Sequence, residues 1–249
     1  MQDQQLDRYS RHILLPQLDY DGQEAIVNSR VLVLGAGGLG SSAIMYLAVS
    51  GVGHLTILDP DHVELSNLQR QIVHTEKRVG MNKALSAKQQ VMAVNSTLDV
   101  NTIETLLDET QLLELIQTMD VILDCTDNSK SRKLHNRLCM QAGKPLVSAA
   151  AIRFEGQMMV IDPKQADKPC YECVYPDVNE GEMSCSESGI FAPVVGLMGI
   201  HQALEALKLI SGLGDNLSGK LMSFDGLTGA WRNFNVPKQK NCPICGQEN

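Results

Sequence analysis

The feature that most constrains the fold of this chain is a short apolar run followed directly by a glycine-rich turn. Residues 31–34 (VLVL) have the length of a buried strand, and residues 35–40 (GAGGLG) carry a G-x-G-x-x-G pattern. Residues 41–50 have the apolar spacing of a helix, and residues 54–58 (HLTIL) predict a second strand. This order predicts the first βαβ unit of an α/β fold, a Rossmann-like, mainly parallel sheet with helices on both faces.

The glycine turn also predicts a nucleotide site. Phosphates bind to the backbone N–H groups of such a turn and to the N-terminus of the following helix. The glycines that we expect to lie against the nucleotide are Gly35, Gly37, Gly38 and Gly40. Asp59 lies 19 residues beyond Gly40, about where an acidic side chain meets a ribose hydroxyl. A dinucleotide of an oxidoreductase would use the same features.

Alternating segments extend the sheet beyond this unit. Helices are predicted over residues 6–16, 21–29, 80–95, 108–117 and 131–142, and further strands over 98–105, 121–123 and 145–149. Residues 151–161 and 219–236 have β-like content, which predicts an antiparallel C-terminal extension on one edge of the sheet. We expect a single domain over residues 1–249, with a nucleotide-binding half over about 1–150 and the extension over about 151–249.

Charge and composition exclude several classes of partner. The net charge is −8 and the pI is near 5.2, whereas a nucleic-acid or anionic-membrane surface needs clustered Lys and Arg. Residues 1–12 lack the apolar core of a signal peptide. The apolar stretch 190–210 contains polar and charged residues in its second half, so we expect a buried or interface helix. The chain is therefore expected to be cytoplasmic and to bind neither nucleic acid nor a membrane.

The seven cysteines divide into two spaced pairs and three single residues. Cys170 and Cys173 form one C-x-x-C pair, and Cys242 and Cys245 form the other. Four thiolates are a common shell for structural Zn²⁺, so the pairs predict a four-cysteine zinc knuckle, with a redox pair or unrelated thiols as the alternatives. Because 68 residues separate the pairs, the fold must bring them together. The single cysteines are Cys125, Cys139 and Cys185.

Polar side chains follow a later strand on the edge where the glycine turn is expected. Asp127 and Asn128 come just after the strand at 121–123, and the carboxyl ends of parallel strands meet at one edge of a sheet. An N-cap for the next helix is the alternative for this pair. Arg70 and Lys83 are candidate phosphate ligands, with exposed surface charges as the alternative.

Four motifs together resemble those of the MoeB/ThiF/HesA family, which are bacterial relatives of the ubiquitin-activating enzymes. They are residues 35–40 (GAGGLG), residues 65–71 (LSNLQRQ), residues 124–128 (DCTDN) and the two C-x-x-C pairs. The resemblance runs from residues 8–11 (RYSR) to residues 245–246, in the order found in the family. The glycine pattern alone is weak, but the combination is specific.

The resemblance implies an adenylyltransferase that uses ATP and Mg²⁺ to activate the C-terminal glycine of a small ubiquitin-like sulfur-carrier protein. It implies that Arg70 and Lys83 offset the charge of the triphosphate and that Asp127 holds Mg²⁺. Arg11 would reach the phosphates from a neighbouring subunit, which implies a homodimer. By the same motif matches, the nucleotide contacts include Asp59, Ser66, Asn67, Leu68, Gln69 and Asn128.

The resemblance leaves alternatives open for the substrate and for one cysteine. The residues of this chain resemble the molybdopterin branch of the family slightly more than the thiamine branch. The carrier of the molybdopterin pathway is therefore the first candidate substrate, and the carrier of the thiamine pathway is the second. Cys185 is either a residue that links covalently to the activated carrier or an exposed thiol. Since only four residues follow Cys245, we expect sulfur to come from a separate donor. Outside the family, the alternatives are an NAD-dependent oxidoreductase and a catalytically silent nucleotide-binding scaffold.

Overall fold

One mixed sheet carries the fold in the computed structural model, which describes residues 1–176 and 188–246. The strands are β1 (Arg30–Leu34), β2 (His54–Leu58), β3 (Asp99–Ile103), β4 (Val121–Asp124), β5 (Leu146–Ile152), β6 (Glu155–Ile161), β7 (Lys220–Asp225) and β8 (Ala230–Asn235). The helices are α1 (Asp3–Arg8), α2 (Ser10–Ile13), α3 (Asp19–Asn28), α4 (Gly38–Ser50), α5 (Lys83–Val94), α6 (Glu109–Gln117), α7 (Ser129–Ala142), α8 (Tyr171–Val174) and α9 (Ala192–Ser211). Short 3-10 turns at Leu65–Asn67 and Glu76–Arg78 lie in the connection between β2 and α5.

The strand order is β3-β2-β1-β4-β5-β6-β7-β8. Neighbours from β3 to β5 pair in parallel, and neighbours from β5 to β8 pair antiparallel. This arrangement confirms the predicted Rossmann-like α/β fold with an antiparallel extension. β5 belongs to both parts, because one of its edges pairs with β4 and the other with β6. The two parts therefore share one continuous hydrogen-bond ladder.

The core lies on both faces of the sheet, and β1 shows why. Val31 and Val33 pack in a cluster with residues of α4, α5 and α9, whereas Leu32 and Leu34 pack in a second cluster with residues of α6 and α7. Successive side chains of a strand point to opposite faces. Because helices cover both faces, all four side chains are buried, which is why this strand is apolar throughout.

Helix α9 packs against α4 and against β5. By length and composition alone it is apolar enough to cross a membrane. Eight of its residues are nevertheless buried within the protein, among them Met198, Gln202 and Ala203. A core helix passes the same test of length and composition, so the packing accounts for its apolar character, as the sequence predicted.

The contact between α9 and α4 requires glycine at position 199. A Cβ atom there would meet the carbonyl group of Leu39 and would lie 3.0 Å from the Cβ atom of Ser42. We expect Gly199→Ala to lower the free energy of unfolding by about 1–3 kcal/mol, because neither backbone can move aside cheaply. Urea unfolding measures this. The matched control is Gly196→Ala on the same helix, where the nearest atom is Ser42 Oγ at 3.5 Å and alanine should be neutral or stabilising. Equal effects of both changes would contradict the expectation.

Side-chain contacts explain two of the places where predicted helix boundaries were wrong. The helix predicted over 6–16 is broken at Tyr9, whose buried ring receives a hydrogen bond of 2.9 Å on its hydroxyl from Asn95 Nδ2. The helix predicted from residue 80 begins only at Lys83, because the side chain of Asn82 accepts the Leu85 N–H and caps it.

Candidate active site

The carboxyl ends of β1, β2 and β4 border a cavity of about 450 Å³. Eight of the residues predicted for a nucleotide site line it, namely Gly35, Gly37, Gly38, Asp59, Arg70, Lys83, Asp127 and Asn128. They come from three strand ends, two helix N-termini and one connection, spread over residues 35–128 of the sequence. The sheet therefore gathers them at one edge, as expected for a doubly wound fold.

Close backbone contacts build the glycine turn. Gly35 has a φ of +96°, a conformation that favours glycine. A Cβ atom at Gly40 would meet the Gly35 carbonyl group, so Gly40 packs the turn against α4 and does not line the cavity. Helix α4 begins at Gly38, earlier than predicted. Its first-turn N–H groups have no partners within the helix and lie where an anion can bind.

Asp59 binds the backbone of the glycine turn. Its Oδ2 accepts the Ala36 N–H at 2.7 Å, and its Oδ1 accepts the Asp61 N–H at 2.9 Å. Burial raises the pKa of this carboxyl group, while the two backbone N–H groups act in the opposite direction. Asp59 thus joins β2 to the turn after β1, and it also lines the cavity.

Lys83 reaches the cavity from the first turn of α5. Its Nζ lies 2.9 Å from Asp61 Oδ2, and its side chain is only 10% exposed. The amide of Asn82 donates to the carbonyl oxygens of Asp59 and Asp61 at 2.9 and 3.1 Å. Asn82 therefore locks the start of α5 onto the end of β2, which places the ammonium group of Lys83 beside the strand end.

The connection between β2 and α5 contributes Arg70 and Gln71. Arg70 lines the cavity, and its Nη1 donates to the Ser66 carbonyl at 3.3 Å. Gln71 also lines the cavity and is buried, and its Oε1 has no hydrogen-bond donor within residues 1–176 and 188–246. Asn67 instead supports the local turn, since its Oδ1 accepts the Glu64 N–H at 3.2 Å. Four residues of the predicted set lie beside the cavity lining rather than in it, namely Ser66, Asn67, Leu68 and Gln69.

A buried network supports the loop after β4. Asp124 is fully buried, and its Oδ2 lies 2.9 Å from His135 Nδ1. Burial acts to raise the pKa of Asp124, but His135, Arg132 and Thr126 together outweigh it, and the net shift is downward. Arg132 Nη2 donates to the Thr126 carbonyl at 2.7 Å. These contacts hold the backbone that precedes Asp127.

Asn128 and Asp127 have different surroundings at the end of this loop. Asn128 Oδ1 accepts the Ser131 N–H at 2.9 Å, so it caps α7 as the alternative interpretation proposed. Asp127 is exposed and lines the cavity. Its Oδ1 accepts only a long hydrogen bond of 3.5 Å from Asn128 Nδ2 among the residues described, which leaves the carboxylate available to a ligand.

A comparison with family models decides the affiliation of this chain. The model described as the ThiF family matches residues 9–244. The chain belongs to the ThiF family. This confirms the resemblance that the four motifs predicted.

Known proteins resemble this ThiF-family chain over nearly its whole length. It is 44% identical over 247 residues to the molybdopterin-synthase adenylyltransferase of Escherichia coli K12, covering 99% of each chain. It is 41% identical over 249 residues to the sulfur carrier protein ThiS adenylyltransferase of the same organism, covering 100% of this chain and 98% of the relative. The crystal structure of E. coli MccB with ATP matches with a TM-score of 0.83 and 25% identity, over 96% of this chain and 75% of that one. Both sequence relatives are adenylyltransferases, so the chain is an enzyme of that class.

The four paired cysteines meet in the folded chain. Their sulfur atoms lie within 4.8 Å of one another, with Cys170 to Cys242 at 3.6 Å and Cys173 to Cys245 at 3.4 Å. All four are buried. The donor set and its size fit a tetrahedral metal ion bound by thiolates. The fold thus brings together two C-x-x-C pairs that 68 residues separate in the sequence.

The surroundings of these thiols determine the cost of ionising them that a bound cation would have to offset. Burial raises the pKa of Cys170 and raises that of Cys245 to about 11. Burial acts in the same direction on Cys242, but backbone N–H groups of Cys245 and Ile244 outweigh it, and its pKa is lowered. Since metal ligation requires thiolates, a dication at the centre would offset the cost of ionising the buried sulfur atoms.

Two further residues predicted to be catalytic are Arg11 and Cys185. Arg11 is exposed on α2 and does not line the cavity of its own chain. Cys185 lies outside the described residues.

Sequence reasoning missed several residues of this site. Asp61 pairs with Lys83, Arg132 holds the Thr126 carbonyl, and His135 holds Asp124. Gln202 donates from α9 to the carbonyl oxygens of Asp124 and Val147 at 2.8 and 3.1 Å. One sequence signal could have indicated Arg132 and His135. They are three residues apart on one helix, so their side chains lie on the same face of that helix and can both reach the end of β4.

Proposed function

We propose that this chain is an ATP-dependent adenylyltransferase that activates the C-terminal glycine carboxylate of a small ubiquitin-like sulfur-carrier protein ending in Gly-Gly. The observation that supports the proposal is the meeting of Arg70, Lys83 and Asp127 beside the glycine turn in one cavity. A dinucleotide oxidoreductase needs the turn and Asp59 but has no use for two cations and a second carboxylate. Family membership and the names of the relatives point the same way.

The reaction brings together two anions. A carboxylate oxygen of the carrier attacks the α-phosphorus of ATP, the bond to the bridging oxygen breaks, and pyrophosphate leaves with the electron pair. Arg70 and Lys83 reduce the repulsion between the carboxylate and the triphosphate, and positioning with electrostatics suffices for such a transfer. The carboxylate is already the nucleophile at neutral pH, so no general base is required.

Asp127 is the residue that would hold Mg²⁺. Mg²⁺ prefers carboxylate, water and phosphate oxygens, and the Asp127 carboxylate is exposed at the cavity. When bound, the ion offsets negative charge on the phosphates. Asp59 would bind the ribose while it keeps its two backbone hydrogen bonds, since each carboxylate oxygen can accept more than one.

The nucleotide lies, in this proposal, along the glycine turn. The first-turn N–H groups of α4 face its phosphates, as they do in other helix N-terminal anion sites. Apolar side chains at the opposite wall of the cavity, among them Leu107, Leu112 and Leu134, offer a surface for the base. Asn128, Ser66, Asn67, Leu68 and Gln69 act by shaping the loops around the nucleotide.

We also propose a homodimer with a shared site. Arg11 does not line the cavity of its own chain, so its predicted role on the phosphates requires a second copy. Exposed apolar side chains on α4 and α9, among them Tyr46, Val49 and Leu204, suit an interface with that copy. Sedimentation of the purified chain tests this. The use of ATP and the reduced thiols of the knuckle both fit the cytoplasm. Sulfur would come from a separate donor.

The proposed metal at the four cysteines is Zn²⁺, with a structural role. Protein thiols fill all four positions of a tetrahedral shell, which leaves no site for a substrate. The ion would tie the segment around α8 to the segment before residue 246.

The carrier of the molybdopterin pathway is the first candidate, and the carrier of the thiamine pathway is the second. Identity of 44% to a relative of the first kind and 41% to one of the second supports this order only slightly. We therefore propose molybdenum-cofactor biosynthesis as the pathway and keep thiamine biosynthesis as the alternative. Cys185 would serve a covalent step on the carrier in the thiamine-type alternative.

Isotope exchange between pyrophosphate and ATP tests the function. The purified chain should catalyse exchange with Mg²⁺ only when a carrier with a free C-terminal Gly-Gly is present. The carrier that stimulates exchange more, at equal concentration, identifies the pathway. A carrier lacking its last glycine is the control and should give background exchange. Absence of exchange with both carriers, together with tight binding of NAD, would overturn the proposal in favour of an oxidoreductase.

A further inference from the structure

His74 and Ser86 form a buried pair behind the glycine turn. His74 Nε2 lies 2.9 Å from the Ala36 carbonyl oxygen, and its Nδ1 lies 2.8 Å from Ser86 Oγ. A carbonyl oxygen can only accept, so Nε2 carries the proton and Nδ1 accepts from the Ser86 hydroxyl. Burial lowers the pKa of His74 to about 4, which keeps the ring neutral near pH 7. The Ala36 carbonyl therefore selects the Nε2–H tautomer, and the Ser86 hydroxyl supplies the donor for Nδ1.

The pair joins three segments that contribute to the cavity. Ala36 lies within the glycine turn, His74 follows Arg70 in the same connection, and Ser86 lies on α5 after Lys83. Arg78 reinforces the junction, since its Nη1 donates to the Ser86 carbonyl at 2.9 Å. A movement of any one segment would have to break these buried hydrogen bonds, which costs more than breaking exposed ones.

The hydrogen bond from His74 also fixes a peptide plane. Ala36 is held at both ends, with its N–H on Asp59 and its carbonyl on His74. The peptide between Ala36 and Gly37 is planar and trans, so the Gly37 N–H points away from the held carbonyl. Gly37 lines the cavity, and its N–H has no acceptor within the described part of the chain. If this peptide turned over, a carbonyl oxygen would face the phosphates and repel them.

We propose that His74, which the Ser86 hydroxyl holds through Nδ1, is a positioning residue that directs the Gly37 N–H toward the phosphates of ATP. The inference rests on the proposed adenylylation. His74 does not line the cavity, so it acts through the backbone of the turn and not on the substrate itself. Its loss should therefore weaken ATP binding more than it slows the chemical step.

Three variants separate this role from a general role in folding. His74→Leu removes both hydrogen bonds and should raise the dissociation constant of ATP, measured by calorimetry, by about 10-fold or more. His74→Gln keeps an N–H donor near the Nε2 position and should recover most of that affinity. Ser86→Ala keeps the imidazole and its Nε2–H but leaves the buried Nδ1 without a donor, so the ring is held less firmly and ATP binding should weaken by a few-fold. In each variant the KM for ATP in the exchange reaction should rise more than kcat falls.

The matched control is Ser29→Ala. Ser29 is also buried and its Oγ also makes a short hydrogen bond, of 2.7 Å to the Ile26 carbonyl. It directly precedes β1 and so lies at the amino end of that strand, whereas the cavity lies at the carboxyl end. Ser29→Ala should lower thermal stability about as much as Ser86→Ala does, with no change in ATP affinity.

Nitrogen NMR of the unmodified protein tests the tautomer directly, even if His74→Leu fails to fold. The ¹⁵N shifts of His74 at pH 7 should report a protonated Nε2 and a bare Nδ1. A protonated Nδ1, equal ATP affinity in the wild type and Ser86→Ala, or an equal loss of affinity in Ser29→Ala would overturn the inference. A wild type that binds ATP but shows no carrier-stimulated exchange would overturn the proposed function instead, while the ATP affinities of the variants still decide the role of His74.

Discussion

Asp127→Asn is expected to lower carrier-stimulated exchange of pyrophosphate into ATP by at least about 10²-fold to 10³-fold while the chain stays folded. Asparagine keeps the shape of the side chain and removes the charge that would hold Mg²⁺ against the phosphates. The carboxylate is exposed, and the loop that carries it is held by Asp124 and Arg132 rather than by Asp127 itself. Initial rates of exchange over a range of Mg²⁺ concentrations, with the thermal midpoint of unfolding, measure both parts of the expectation.

Asp99→Asn is the matched control for this change. Asp99 begins β3, at the edge of the sheet away from the cavity, and its carboxylate lies 3.0 Å from His54 Nδ1. The same substitution there should leave exchange at the wild-type rate. If Asp127→Asn also exchanged at the wild-type rate, Asp127 would have no part in the site. If both variants lost exchange equally, the loss would reflect the fold and not the metal.

Cys173→Ala is expected to remove bound zinc and to lower the thermal midpoint of unfolding by about 10 °C. Without a metal, the buried cysteines no longer tie the two segments together, and three thiolates bind zinc far less tightly than four. A loss of about 3–5 kcal/mol of folding free energy gives a shift of this size in a chain of 249 residues. Metal analysis should find about one zinc per wild-type chain and much less in the variant, with the midpoint read by calorimetry.

Cys139→Ala provides the control, because Cys139 is equally buried and packs in the same core cluster but lies outside the four-cysteine group. The Cys139→Ala variant should keep its zinc, and its free energy of unfolding should fall only by the small contribution of one packed thiol. A wild-type protein without zinc, in which all four thiols react freely with a thiol reagent, would show that the cluster is not a metal site.

The parallel part of the fold could be predicted because its signals are local. A strand buried on both faces needs an apolar run, and the turn that follows it here needs glycine. Residues 31–34 supply the apolar run and residues 35–40 supply the glycines. The ends of the helices were harder to predict. The break at Tyr9 depends on its hydrogen bond with Asn95, a residue 86 positions away, and no local pattern reports such a contact.

The candidate site divides in the same way. Glycine spacing and the polar residues after each strand indicated Gly35, Asp59 and Asp127, because a parallel sheet places its strand ends along one edge. The partner of Lys83 was missed, since Asp61 becomes its neighbour only when Asn82 locks α5 onto the end of β2. The motif at 65–71 predicted nucleotide contacts, and within that segment Arg70 and Gln71 line the cavity while Asn67 accepts the Glu64 N–H in the local turn.

The sequence by itself determined the family, the alternation of strands and helices in the nucleotide half, and the two C-x-x-C pairs, since these depend on residue types at fixed spacings. Only the tertiary structure decided how the glycine turn is held: Asp59 takes the N–H of Ala36 and His74 takes its carbonyl. It also decided that the two distant C-x-x-C pairs meet within 4.8 Å. Both facts depend on contacts between segments far apart in the chain, where the direction of a hydrogen bond and the distance between two sulfur atoms are set by the packing of whole helices and strands.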